Sequence, residues 1–399
     1  MSCSKLKQLE KKMKKALIVT HVSGFVPQFE MNNVRILQEM GYEVHYASNF
    51  HNVSYGEDNH RLDGTGLILH QIDFSRSPFD WKENTKAYLQ LKQLMKEHNF
   101  ILVHCHTPVG GVLARMVAKS YRNKGTKVIY TAHGFHFYKG ASLKFWLVSY
   151  PMERWLAHYT DVLITINEED FQNAKKLSLG KRNGTKGKVY KIDSVGIDLA
   201  KYHFISITKE EKRKELGIPR DAFLLVSVGE LNWNKNHKVV VEALGRLKKE
   251  NLYYFICGEG IEKVSLLEQA KRLGIEKQVT LAGFRKDIPE ILHIADAMVF
   301  PSLREGLGVV AIEAMASGVP IIALDNRGTR EYMQDGVNGY VVWDNTAKEI
   351  AKAIQKLYQL PKKEYEIMQK HCLETAKRFS SVQVNQVMQN IYEGLERID

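Results

Sequence analysis

Phe300-Pro301-Ser302-Leu303-Arg304-Glu305-Gly306-Leu307-Gly308-Val309-Val310-Ala311-Ile312-Glu313-Ala314-Met315-Ala316 is the stretch on which the fold of this chain turns. An apolar run over Ala297–Pro301 reads as a strand, a glycine-bearing loop carries Glu305, and a helix starts near Gly308 and extends to Ser317. Pro320–Leu324 follows as the next strand. Strand, loop, helix and strand in that order make the unit from which parallel, helix-covered sheets are built.

The same alternation continues outward. Upstream lie strand Phe223–Val228, helix His237–Lys249, strand Tyr253–Cys257, helix Val264–Leu273, strand Gln278–Ala282 and helix Ile288–Ala295. The first half holds strands at Ala16–Thr20, Glu43–Ala47, Ile101–Cys105, Lys127–Thr131 and Asp161–Ile166. Helices at Gln28–Met40, Asn84–His98, Val109–Tyr121 and Leu143–Ala157 separate them. Leu179 to Gly187, rich in Gly, Lys, Arg and Asn, reads as a surface loop. A charged stretch ending in Gly217-Ile218-Pro219 holds the linker. The tail from Ala347 is helical, with a break at Pro361. The expected fold class is therefore α/β, with two Rossmann-like domains of parallel sheet flanked by helices. Residues 1–204 form the first and 205–379 the second, and the last helix, 380–399, packs back on the first. Such sheets bind ligands beyond the C-terminal ends of their strands, so two of them facing each other make a cleft.

At 399 residues, 44% hydrophobic and 26% charged, the composition excludes disordered and fibrous classes and exceeds one ordinary core. Cys3, Cys105, Cys257 and Cys372 lie far apart without Cys-x-x-Cys spacing, which argues for reduced thiols in a cytosol and against a disulfide frame or zinc site. No run approaches the ~20 apolar residues of a membrane span. Ala16–Thr20 is too short for a signal-peptide core. The lysine-rich lead-in, Lys5 to Lys15, reads as a solvated segment, with contact to anionic lipid as the alternative. A net charge of +12 suits a phosphorylated substrate or an anionic membrane surface. Nucleic acid is not expected as a partner, because the basic residues are spread out and no recognition signature is present.

Amides at a helix start suit a phosphate or hydroxyl oxygen. Carboxylates accept hydrogen bonds from paired hydroxyls of the kind ribose and hexose offer. Glu305 alone reads equally as a first-turn carboxylate compensating the helix dipole; with Gly306, Gly308 and Glu313 around it, a binding site is the better reading. Glu305 and Glu313, separated by seven residues, preceded by Pro301-Ser302 and followed by Ala314-Met315-Ala316-Ser317-Gly318-Val319-Pro320, resemble the signature of retaining family 4 glycosyltransferases, which have the GT-B architecture. The resemblance covers nearly the whole chain. Thr131-Ala132-His133-Gly134-Phe135-His136-Phe137-Tyr138 and Gly229-Glu230-Leu231-Asn232-Trp233-Asn234-Lys235-Asn236 are similar to segments of bacterial capsular and exopolysaccharide transferases in that family.

The resemblance implies that Glu313 holds the nucleotide ribose and that Glu305 faces the donor sugar. The backbone of Gly306, Leu307, Gly308 and Val309 then meets sugar hydroxyls and phosphates. Lys235 occupies the diphosphate-binding position, where a fixed cation stabilises the charge that develops on the leaving group. Many relatives carry an arginine where this chain has Glu230. Gly229, Gly258 and Glu259 border the nucleotide, and glycine allows close backbone approach. Arg285 lies near the base or phosphates, with a surface arginine as the plain alternative. His133 is placed beside the reacting centre; His136 and Gly24, in Ser23-Gly24-Phe25, belong to the acceptor side. No cofactor or metal is implied, and the sequence has neither an Asp-x-Asp pair nor a histidine–carboxylate cluster with ligand spacing.

The expected donor is a nucleoside-diphosphate sugar, such as a UDP-hexose or UDP-N-acetylhexosamine. The acceptor is a glycan or polyprenyl-diphosphate-linked sugar of a surface polysaccharide. The sequence offers no conspicuous second carboxylate for a double displacement. Aromatics from Phe135 to Trp155, beside Lys139, Lys144 and Arg154, suit either a membrane interface or a core helix. The expected location is cytoplasmic, peripheral on the inner face of the membrane if that segment meets lipid. A GT-B epimerase is the enzyme rival and a non-catalytic sugar-nucleotide module the binding rival. A dehydrogenase is disfavoured because no G-x-G-x-x-G follows the first strand of either half.

Overall fold

A computed structural model describes residues 13–55, 59–182 and 184–396. Cys3 and the lead-in from Lys5 to Lys12 lie outside the described residues. The strands are β1 Lys14–Val19, β2 Tyr42–Ser48, β3 Ile68–Gln71, β4 Phe100–His106, β5 Lys127–Ala132, β6 Val162–Thr165, β7 Lys181–Arg182, β8 Thr185–Lys186 and β9 Lys188–Lys191. They continue as β10 Phe223–Val228, β11 Leu252–Cys257, β12 Val279–Leu281, β13 Ala297–Phe300, β14 Ile321–Leu324 and β15 Gly339–Val342. Two compact units result, one of residues up to Gly196 together with Val382 onward, the other Ile197–Ser381.

The first unit contains a seven-stranded parallel sheet in the order β3-β2-β1-β4-β5-β6-β9. Its inner strands are apolar on both faces because helices cover both; β5 and β6 are buried along their whole length. Leu17, Val103, Val128 and Leu163 from the strands meet Leu91, Leu113 and Val117 from the helices Trp81–Glu97 and Pro108–Arg122. The final helix, Ser381–Glu396, closes this unit. Its Tyr392 hydroxyl lies 2.8 Å from His104 Nδ1, and Glu396 accepts from Tyr42 at 2.8 Å and pairs with Lys14 at 2.7 Å.

The second unit is a six-stranded parallel sheet in the order β12-β11-β10-β13-β14-β15. The helix Val309–Ala316 is apolar nearly all round and five of its eight residues are buried, as such a composition requires. In each unit the strand order reverses beside the first strand, between β1 and β4 and between β10 and β13. Loops diverge there and leave a crevice at the strand C-termini.

The strands and helices expected around the opening stretch are present with ends shifted by a residue or two. Several short elements depart from expectation. The 179–187 loop contains an antiparallel hairpin, β7 with β8, because the Arg182 guanidinium is tied to Asp161 and to the Thr126 carbonyl. The helix expected from Gln28 begins instead as a π turn, Val26–Glu30, before Met31–Glu39. The helical tail breaks a second time at Phe379–Ser380, where Ile197 N donates to the Phe379 carbonyl, Ser381 N donates to the Ile197 carbonyl, and Ile197 and Ser380 form a short parallel bridge. Three strands (β3, β9, β15) and the helices Glu168–Lys175, Ala200–His203 and Lys209–Glu215 are additional.

A buried ion pair pins the helices of the first unit. Arg115, 1% exposed, makes a two-pronged contact with Glu153 at 2.7 and 2.9 Å and lies 3.8 Å over the Tyr130 ring. Removing one partner of such a pair leaves an uncompensated buried charge. Glu153→Ala is expected to destabilise the unit by about 3–5 kcal/mol, read as a fall in the urea midpoint at constant slope.

Candidate functional site

In the second unit, the loops after β10 and β13 are laced together. Leu303 N donates to the Asn234 carbonyl at 2.8 Å, Asn234 Nδ2 to Arg304 O at 3.0 Å, and Asn236 Nδ2 to Pro301 O at 3.2 Å. Asn236 is left-handed, φ 55°, and starts the helix His237–Leu247, which sets Lys235 just outside the helix. The Lys235 stem lies over Gly229, and its ammonium reaches Glu305 Oε1 at 2.6 Å and sits 5.5 Å from the Phe300 ring centroid. The two charges are part-buried, with side-chain exposures of 22% and 14%.

Two glycines make this geometry possible. Gly308, φ +86°, precedes the helix Val309–Ala316, and a Cβ there would meet the Phe300 ring at 2.7 Å and the Tyr332 hydroxyl at 2.9 Å. Gly258, φ +150°, comes so near β10 that a Cβ would lie 1.9 Å from the Gly229 carbonyl oxygen. Gly306, Leu307, Gly308 and Val309 thus lead into a helix whose first-turn amides have no acceptor within the helix. The Tyr332 hydroxyl and Ser302 Oγ, both buried, have no hydrogen-bond partner among the described residues.

Glu313, one turn further along, is half-buried. Burial holds its carboxyl above the ordinary range, although the neighbouring Tyr202 hydroxyl pulls the other way. Burial, followed by the Glu313 charge, raises Tyr202 in turn. Glu230 is exposed and its carboxylate accepts from Asn232 Nδ2 at 3.0 Å; Glu259 is exposed on the loop after β11. Arg285 is committed to Asp287, at 2.8 and 2.5 Å, inside a network with Lys212. Arg327, buried, donates to the Glu305 carbonyl at 3.2 Å.

In the first unit, β5 ends directly before His133, and β4 ends at His106. The His106 Nδ1 to His133 Nε2 distance is 3.2 Å, and Glu30 Oε1 stands 3.4 Å from each nitrogen. The residue after His106, Thr107, is strained at φ 62°, ψ 153°, and its hydroxyl accepts from His21 N at 3.2 Å. Burial first, then His104 and His133, hold His106 neutral, well below the usual histidine range. Gly24 is buried in the loop after β1, so tightly packed that a Cβ would strike the Ser54 carbonyl. His136 rests 5.7 Å from the Phe145 ring.

Spacing along the chain does not show two clusters that the fold builds. Glu30, His106 and His133 form one, and His45, His70 and His98 the other; either could hold a metal ion. In the second, His45 Nδ1 lies 2.8 Å from His70 Nε2. That is the length of one hydrogen bond and shorter than the about 3.3 Å between ligand atoms around a tetrahedral zinc. Glu30 also supplies the additional carboxylate beside His133 that the sequence did not reveal. Tyr202 and Arg327 were likewise missed, each being marked only by its three-dimensional neighbours.

Residues 14–167 match the family described as Glycosyl transferase 4-like, and residues 208–378 match Glycosyl transferases group 1. The EpsD protein of Bacillus subtilis (strain 168), named as a glycosyltransferase, is 40% identical over 390 residues, 97% of this chain and 98% of its own. An Escherichia coli protein named UDP-Gal:alpha-D-GlcNAc-diphosphoundecaprenol alpha-1,3-galactosyltransferase is 29% identical over 297 residues, 73% of this chain and 74% of its own. The crystal structure of Anabaena Alr3699/HepE in complex with UDP-glucose has the same fold, with TM-score 0.77, 19% identity, and coverage of 95% of this chain and 99% of that one. The chain belongs to the family 4-like glycosyltransferases of GT-B architecture.

The Asp287 network gives a pH test within the second unit. Burial alone would raise Asp287, but hydrogen bonds from Arg285 and Lys212 outweigh it and bring its pKa from 3.8 down to about 2. A depressed carboxylate stabilises the fold above its unfolded value and loses that contribution as the pH falls through its folded value. Asp287→Asn is therefore expected to cost about 2 kcal/mol at neutral pH and to flatten the stability curve between roughly pH 4 and 2, as measured by denaturant titration.

Proposed function

We propose that this glycosyltransferase moves a hexosyl or N-acetylhexosaminyl group from a UDP-sugar to a glycan or polyprenyl-diphosphate-linked acceptor, with retention and without a metal ion, in cell-surface polysaccharide synthesis. The observation that carries the reading is the Lys235–Glu305 pair at 2.6 Å, set between the C-terminal ends of β10 and β13 and beside the start of helix Val309–Ala316. A bound diphosphate competes for the ammonium and releases the Glu305 carboxylate to accept hydrogen bonds from the sugar. Lys235 and the first-turn amides then stabilise the negative charge that grows on the leaving group. Glu313, steadied by Tyr202, accepts from the ribose hydroxyls. Two relatives support the substrate classes: the E. coli protein's name carries a UDP-galactose donor and a diphosphoundecaprenol acceptor, and HepE was crystallised with UDP-glucose. Neither the epimerase nor the binding-module reading is favoured, since the matching families and the named relatives are glycosyltransferases.

Contact with an anionic membrane belongs to the same reading, with part of the expected aromatic segment packed inward and part, Phe145 and Trp155, exposed. Trp146 and Tyr150 pack on the core, and Trp146 Nε1 donates to the Tyr138 carbonyl at 3.3 Å. The exposed side of helix Leu143–Ala157 instead carries Leu143, Leu147, Val148 and Trp155 beside Lys144 and Arg154. Apolar residues flanked by cations suit the headgroup boundary. No helix among the described residues is long and apolar enough to cross a membrane. The proposed location is therefore the inner face of the cytoplasmic membrane.

Three measurements test these assignments. A thermal-shift screen of UDP-, GDP- and dTDP-sugars should single out UDP donors. Glu313→Gln should weaken UDP binding by about tenfold or more while Glu305→Gln mainly slows transfer; equal loss of both properties in both variants would refute the division of roles. Leu147→Ser with Trp155→Ser should reduce co-sedimentation with phosphatidylglycerol vesicles, and unchanged binding would remove the membrane face.

A further inference from the structure

The strand β3 is four residues long and lies at the edge of the first unit's sheet with most of its side chains exposed, so burial does little to hold it. Rings gather on it instead. His70 of β3 meets His45 of β2 and His98, the residue that ends the helix Trp81–Glu97. The centroids of the three rings form a triangle with sides of 4.8, 5.0 and 5.5 Å. The Phe100 ring packs against it, 4.9 Å from His45 and 5.5 Å from His98. One nitrogen of each imidazole lies within 4.8 Å of the other two. Lys15, Glu43 and Phe100, each at the start of its strand, border the cluster. It is therefore set apart from the strand C-termini where His106 and His133 stand.

The tautomer of His45 is fixed from behind. Glu43 Oε1, paired with Lys15 at 2.9 Å, lies 2.8 Å from His45 Nε2. An ionised carboxylate only accepts, so His45 carries its proton on Nε2 and presents a bare Nδ1 to the other rings. A carboxylate on one ring nitrogen, with the other nitrogen turned to further imidazoles, is how proteins orient histidines that bind zinc. His45 is buried, whereas His70 and His98 are half-buried and leave a way in from solvent.

We propose that His45 Nδ1, His70 Nε2 and a ring nitrogen of His98 bind one zinc ion, which clips the edge strand β3 and the end of helix Trp81–Glu97 to β2. Three imidazoles, with water or the exposed Glu97 carboxylate beside His98 as the fourth ligand, match the donor preference of zinc. His45 Nδ1 and His70 Nε2 share one proton at 2.8 Å. Zinc takes the place of that proton, which passes to Nδ1 of His70, and the two nitrogens part by about half an ångström. No further strand among the described residues lies beside β3 to oppose that turn of the ring. The site stands apart from the groups assigned to transfer and does not depend on the substrate reading.

The full chain, freed of metal by a chelator and titrated with zinc against a chromophoric competitor, is expected to bind one equivalent. Cobalt(II) in its place should give the visible absorption of a four-coordinate ion. His70→Ala and His98→Ala, both at half-buried positions, should each lose the equivalent while keeping the wild-type circular dichroism. Glu43→Gln retains all three ligands and should weaken zinc by about 10–100-fold. Zinc should raise the urea midpoint of the wild type and leave that of His98→Ala unmoved. Absence of zinc binding by the folded wild type overturns the proposal. So does an equivalent that survives in both alanine variants, since the ion would then sit elsewhere, as on Glu30, His106 and His133. A bound equivalent that leaves the wild-type urea midpoint unchanged overturns the clip as well.

Discussion

Charge withdrawn from water must meet a partner, and the interior of this protein is arranged around that constraint. A low-dielectric environment makes an unpaired ion cost several kcal/mol, so several part-buried charges in the two units are drawn to a counter-charge from a different element. Arg115 with Glu153 is the fully closed case, at exposures of 1% and 8%. Lys235 with Glu305 is the open case, at 22% and 14%. The first pair has no route to another partner and serves the fold. The second can exchange its partner for a phosphate oxygen, which makes it suited to a substrate that brings its own charge. Burial therefore separates scaffold from site better than the chemistry of the pair does.

The strand crossings decide where those pairs fall. Both sheets reverse order beside their first strand; the loops that part there carry Lys235 and Glu305 in one unit and Gly24 and Thr107 in the other, where His133 follows the neighbouring β5. Left-handed backbone occurs at the same places: Thr107 after β4, Asn236 before its helix and Gly308 before another. For Thr107 and Asn236 that conformation costs free energy, whereas glycine adopts it freely.

Long apolar runs made the large elements legible, since β13 and the helix after Gly308 announce themselves by composition. Short edge elements did not. β3, Ile-Leu-His-Gln, lies at the sheet edge with most of its side chains exposed, so no apolar run marks it. β15 opens on Gly339, a residue that usually signals a turn. The motif residues of the candidate site were readable because they cluster within a few positions of one another. Glu30, His106, Tyr202 and Arg327 were not, because their importance arises from partners tens to hundreds of residues away. The aromatic segment 135–155 shows the same limit. Composition gave the apolar content of the helix, but its rotation about its own axis, which hides Trp146 and exposes Leu147, was set by packing.

The helix Ser381–Glu396 lies at the end of the chain yet completes the unit at its beginning. Its Tyr392 supports His104, and its Leu395 carbonyl accepts from Lys127. The first unit is therefore assembled from two segments with the whole second unit made between them, so it gains this wall, and His104 its Tyr392 partner, only after residues 197–381 have been synthesised.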